Sequence, residues 1–146
     1  MNGKFGTDGI RGIYGKTLNE ADAYALGAAL DYLSSFDLEA LWSSERRLAN
    51  IMREEIASLG AKVAAGGNDP LPVVSFAFPF MHPLDMAKVL GTLGFCVRDG
   101  KHCAHIATEA LGFDTTVRVS LGIYNTEDDI SSFIEKIKYL KGKYGR

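Results

Sequence analysis

The sequence predicts an α/β fold: a two-layer sandwich in which a small mixed or antiparallel sheet of about four strands carries helices packed on one face. Three observations lead there. After residue 17, helical and β-rich stretches follow one another in the order α-α-β-β-α-β-α-β-α. The helical stretches carry apolar stripes at helical spacing, and glycines and prolines punctuate the joints. A chain of 146 residues is long enough to build one core of its own.

Met1–Gly15 is glycine-rich and polar, centred on GTDGIRG (Gly6–Gly12), and reads as a loop. Thr17-Leu-Asn-Glu20 has capping-box spacing, so a helix is expected from there to about Ser34, with Ala21, Tyr24, Ala25, Ala28 and Tyr32 along one side. Asp37 caps a second helix to about Leu59, striped by Leu41, Leu48, Met52, Ile56 and Leu59, with Trp42 at its edge and Gly60 as its stop. Lys62–Ala65 reads as a short strand and 66–70 as a turn. Val73–Phe78, bounded by Pro72 and Pro79, is a stronger strand. Pro83 opens a third helix that reaches about Leu93 before Gly94, with His82 in a capping or structural role. Phe95–Arg98 is expected as a strand with Cys96 buried in it, followed by an Asp99-Gly100 turn. Ala104–Leu111 reads as a short helix and Thr115–Leu121 as an alternating strand. The last helix starts at Thr126-Glu-Asp-Asp129 and buries Ile130, Phe133, Ile134, Ile137 and Leu140, with a frayed basic tail over Lys141–Arg146.

Bulk properties exclude several classes. A net charge of -2 argues against nucleic acid or an anionic membrane as partner. No apolar run approaches the length of a membrane span, and MNGKFGTDG lacks the apolar core of a signal peptide, so a cytoplasmic location is expected. Two cysteines are too few for a disulfide framework, and with three scattered histidines they match no zinc spacing, so no metal is expected.

Chemistry concentrates in Val97–Asn125. Cys103 sits in a short polar loop, with Arg98 five residues before it and Arg118 fifteen after it. Lys101, His102 and His105 crowd the sulfur with potential positive charge, and the start of a helix follows. Such a setting favours thiolate, the reactive form. The plain alternatives are an exposed cysteine, two solvated arginines, and histidines that tune nothing. The Gly6–Gly12 loop could hold a phosphate on its amides or simply be a packing loop. Phe76, Phe78 and Phe80 read as core and edge.

From about Leu26 to Leu140 the chain resembles the C-terminal small domain of cysteine desulfurases and selenocysteine lyases, pyridoxal-phosphate enzymes of fold type I in the class V aminotransferase group. The matching stretches are LGAALDYL (Leu26–Leu33), VVSFAF with His82-Pro83, VRDGKHCA (Val97–Ala104) and VRVSLGIYNTEDDI (Val117–Ile130). The resemblance implies that Cys103 is the persulfide-forming cysteine. It implies that Arg118 grips a substrate carboxylate, that Arg98 is a second active-site arginine, and that His102 and Asn125 are candidate substrate-binding residues. Lys101 stands where the subgroup usually has histidine, and Cys96 where a small apolar residue is usual. KFGTDGIRG (Lys4–Gly12) is instead similar to the N-terminal motif of phosphoglucosamine mutases. The resulting expectation is a chimera, with residues 1–25 mutase-like and 26–146 desulfurase-like.

In the desulfurase family the Schiff-base lysine and the acid that holds the pyridine nitrogen lie in a large domain, and the expectation is that this chain acts without it. The resemblance therefore implies a module that is inactive alone, binds no pyridoxal phosphate itself, and is at most a persulfide carrier on Cys103. Its expected partners are a second copy of itself or a sulfur-transfer protein. The alternative is a dimerising interaction module, or a fusion without selected function.

Overall fold

The computed structural model describes residues 4–6 and 9–11 as backbone, and residues 19–64 and 71–145 with their side chains. The chain divides into two compact units, 1–41 and 42–146.

The first unit holds β1 (Lys4–Gly6), β2 (Gly9–Arg11) and α1 (Glu20–Ser34). The glycine-rich start is thus more than a loop: β1 and β2 pair antiparallel, Phe5 opposite Ile10. Thr7, Asp8, Gly12 and Thr17 lie outside the described residues, and with them the phosphate-loop reading of 6–12 and the expected Thr17 cap. α1 is described from Glu20 and is capped by Asn19. Asn19 accepts from the amides of Ala21 and Asp22, and Asp22 accepts from the Asn19 amide in return, a capping box built from Asn and Asp. The stripe of Ala21, Tyr24, Ala25, Ala28 and Tyr32 is not a buried face, because α1 buries none of its residues.

The second unit contains a four-stranded antiparallel sheet in the order β3-β4-β6-β5, formed by Lys62–Val63, Val73–Ala77, Thr116–Ser120 and Arg98–Gly100 respectively. Alternation puts Val74, Phe76, Val117 and Val119 on one face. That face shares a single core with Leu48, Ala49, Met52 and Ile56 of α2 (Leu38–Ser58), Met86 and Leu90 of α3 (Pro83–Thr92), and the expected stripe of α5 (Glu127–Tyr144). Phe76 is fully buried and meets Phe78 and Phe133 edge to face. Asp37 caps α2 through the Ala40 amide, and His82 caps α3 through the Leu84 amide, as expected.

Two expectations fail at the segment before the cysteine. Phe95–Val97 is not strand; pairing begins at Arg98 and runs through Asp99-Gly100, the dipeptide read as a turn. The apolar run belongs to a loop, where Phe95 packs against Phe133. Cys96 is therefore exposed rather than buried in a strand. At the other end of the chain, α5 stays helical to Tyr144, so the basic tail is ordered through Lys143. Lys141 and Lys143 lie in its last turn, where cations complement the helix dipole.

Candidate functional site

The site is built on the sheet face opposite the core. In an antiparallel ladder, directly paired residues share a face. Arg118 of β6 lies opposite Ser75 of β4 on one side and opposite Arg98 of β5 on the other. Two arginines are thus paired across neighbouring strands, an arrangement of like charges that costs stability unless an anion or an acid offsets it. The Nε of Arg118 is buried and has no hydrogen-bond partner.

The loop after β5 delivers the sulfur. His102 and Cys103 both adopt left-handed backbone, with φ of 57° and 59°. This conformation is uncommon for residues other than glycine. Arg98 Nη2 reaches Cys103 Sγ at 3.7 Å. His102 Nε2 lies 2.8 Å from Thr116 Oγ1, on the same strand as Arg118, while its Nδ1 is buried without a partner. Burial, then the charges of Arg118 and Arg98, lower the His102 pKa below its ordinary value and favour the neutral ring. The loop closes through the Lys101 carbonyl, which accepts from the Ala104 amide at 2.9 Å and from Thr108 Oγ1 at 3.3 Å. α4 (His105–Ala110) follows, with Ala104 as a cap that makes no side-chain bond.

Sequence reasoning placed Cys103, Arg98, Arg118 and His102 together, and the structure brings these four to one place. Asn125 is engaged elsewhere: its Oδ1 accepts from the Gly122 amide at 2.8 Å and so closes the turn ahead of α5. His105 is exposed on α4. Thr116 was missed, although the alternation in Thr116–Ser120 already puts it on the same face as Arg118. Among the described residues no group of three His, Cys, Asp or Glu could hold a metal ion. No described helix is long and apolar enough to cross a membrane.

The family model for class-V aminotransferases matches residues 12–133. The chain belongs to the class-V aminotransferase family. A probable cysteine desulfurase of Pseudomonas putida is 36% identical over 123 residues, covering 80% of this chain and 29% of that protein. A cysteine desulfurase of Cronobacter sakazakii is 33% identical over 118 residues, covering 81% of this chain and 29% of its own length. The apo structure of a cysteine desulfurase from Thermococcus onnurineus superposes with a TM-score of 0.80 at 28% identity, over 94% of this chain and 36% of that one. The Escherichia coli cysteine desulfurase CsdA, in an S-sulfonic acid form, also gives 0.80, at 26% identity, over 97% of this chain and 37% of that one. The chain spans between 18% and 31% of the length of the curated relatives it matches, and so corresponds to a partial class-V domain of cysteine desulfurase type.

The full-length family uses pyridoxal phosphate. The residues around Cys103 do not fit that coenzyme. Its covalent anchor must be an amine able to shed its proton, and Lys101, the lysine of this loop, is committed to Glu109 with Nζ 2.8 Å from Oε1. That hydrogen bond raises the Lys101 pKa, the opposite of what a Schiff-base lysine requires.

Proposed function

We propose that this chain is a sulfur-handling small domain of the cysteine desulfurase type, which carries sulfur on Cys103 and does not release it from cysteine by itself. The observation that carries this reading is the Arg98–Arg118 cross-strand pair with the Cys103 sulfur held 3.7 Å from Arg98. Two guanidinium groups on one open sheet face suit a carboxylate, which arginine binds bidentately. A carboxylate-bearing persulfide would thereby be brought to the thiol.

The transfer balances without a coenzyme. The Cys103 thiolate attacks the outer sulfur of the donor persulfide, a new S–S bond forms on Cys103, the donor S–S bond breaks, and the donor leaves as thiolate. Sulfane sulfur moves and no net oxidation occurs. Residues 1–25 are, in this reading, a mutase-like segment joined to the desulfurase-like part at 26. The chain acts in the cytoplasm with a sulfur-transfer partner or a second copy of itself.

Transfer itself tests the proposal. Incubation with cysteine persulfide should add one reductant-labile sulfur atom to Cys103, and Cys103→Ser should take up none there. Cysteine plus pyridoxal phosphate should yield neither alanine nor sulfide. Alanine release at a rate that depends on Cys103 would overturn the non-catalytic part, and failure of sulfur uptake would overturn the rest.

A further inference from the structure

We propose that Thr116 is a positioning residue for Cys103: its hydroxyl holds the His102 ring, and through it the left-handed 102–103 backbone that sets the sulfur beside the arginines. The inference deepens the sulfur-acceptor reading, but the latch is defined by geometry alone. β5 ends at Gly100, whose φ of 106° costs little because glycine has no side chain. The next reversal is given to His102 and Cys103, two residues that do have side chains, at φ 57° and 59°. Such a pair persists only where its surroundings hold it.

The polar contacts on the pair are few. Thr116 is 3% exposed on the central strand β6, a rigid platform, and its Oγ1 lies 2.8 Å from His102 Nε2. The opposite ring nitrogen, Nδ1, has no partner, so the ring is anchored from one side. Arg98 touches the Cys103 sulfur but is itself exposed, whereas Thr116 is buried. With the ring neutral, either Nε2–H donates to the threonine oxygen or the threonine hydroxyl donates to bare Nε2, and the latch holds in both tautomers. Arg98, Arg118 and Asp99 are the charged groups that act on this ring, and Thr116 is its hydrogen-bond partner.

Charge selectivity of alkylation reads the geometry without any coenzyme. In the wild-type chain Cys103 should react faster with iodoacetate than with iodoacetamide, because the arginines attract the anionic reagent. Thr116→Val keeps the β-branched shape and removes the hydroxyl. It should reduce that preference about fivefold, the factor for losing one close charge contact in water. Thr116→Ser should restore the preference, which a packing role alone would not produce. If Thr116→Val does not fold, His102→Phe serves as the second variant, with the same loss expected. The proposal is overturned if either folded variant keeps wild-type selectivity, or if Thr116→Ser is as impaired as Thr116→Val. Sulfur uptake by the wild-type chain is scored separately, so its failure would sink the functional reading and leave the latch standing.

Discussion

Replacing Arg118 by methionine should stabilise the domain while removing its grip on anions. Arg118 Nε is buried and unpartnered, and such a donor costs about 1–3 kcal/mol. The lower half of that range applies, because the residue is only half-buried. Its guanidinium also shares a sheet face with that of its cross-strand partner Arg98, and like charges directly opposite one another cost up to about 1 kcal/mol. Methionine keeps the apolar stem and removes both penalties, so a net gain of about 1–3 kcal/mol is expected. Urea unfolding followed by circular dichroism would read it as a higher midpoint with unchanged slope. Salt supplies an internal control. Raising ionic strength from about 0.01 M to 1 M shortens the screening length from about 30 Å to 3 Å. The wild-type chain should therefore gain stability with salt, and the variant should gain less. A variant destabilised by more than about 1 kcal/mol, or a wild type indifferent to salt, would refute the reasoning.

Phe76→Ala empties a fully buried site that meets two other rings, and should cost about 3–5 kcal/mol in the same urea experiment. Gly112→Ala should cost about 1–2 kcal/mol, because φ is 74° there and the new methyl would stand 2.7 Å from Lys62 Nζ, which now donates to the Gly112 carbonyl. His102, whose folded pKa is lowered, should make stability fall as the solution is acidified. Below about pH 6.5 the unfolded chain binds a proton that the folded ring still refuses, so the unfolded state is favoured until the lowered folded value is passed. His102→Phe should remove that slope, as measured by unfolding midpoints between about pH 7 and 5.

Much of this was legible in the residues because periodicity reports burial. The Ile130, Phe133, Ile134, Ile137 and Leu140 spacing could only be one buried helix face, and it is. Alternation in Thr116–Ser120 likewise put Val117 and Val119 inward and Arg118 outward. What misled was local chemistry overridden by pairing. Phe95–Val97 has strand composition but lies in a loop, and Asp99-Gly100 has turn composition but forms the ladder to β6. A three-residue edge strand carries too little pattern for its register to be read from sequence. The same shift brought Cys96 to the surface. The site could be guessed as a set of residues, but its geometry could not. That Arg98 and Arg118 are direct partners depends on the register, and that His102 rests on Thr116 depends on two left-handed residues that no spacing rule announces.

Site-resolved sulfur mapping tests the central claim most directly. The chain has two exposed cysteines, Cys96 and Cys103, so each molecule holds its own control. After brief exposure to cysteine persulfide and peptide-level mass spectrometry, labile sulfur should be found on Cys103 in preference to Cys96, and the preference should collapse in Arg98→Gln and Arg118→Gln. Equal labelling of the two cysteines, or a preference that survives loss of both arginines, would contradict the account.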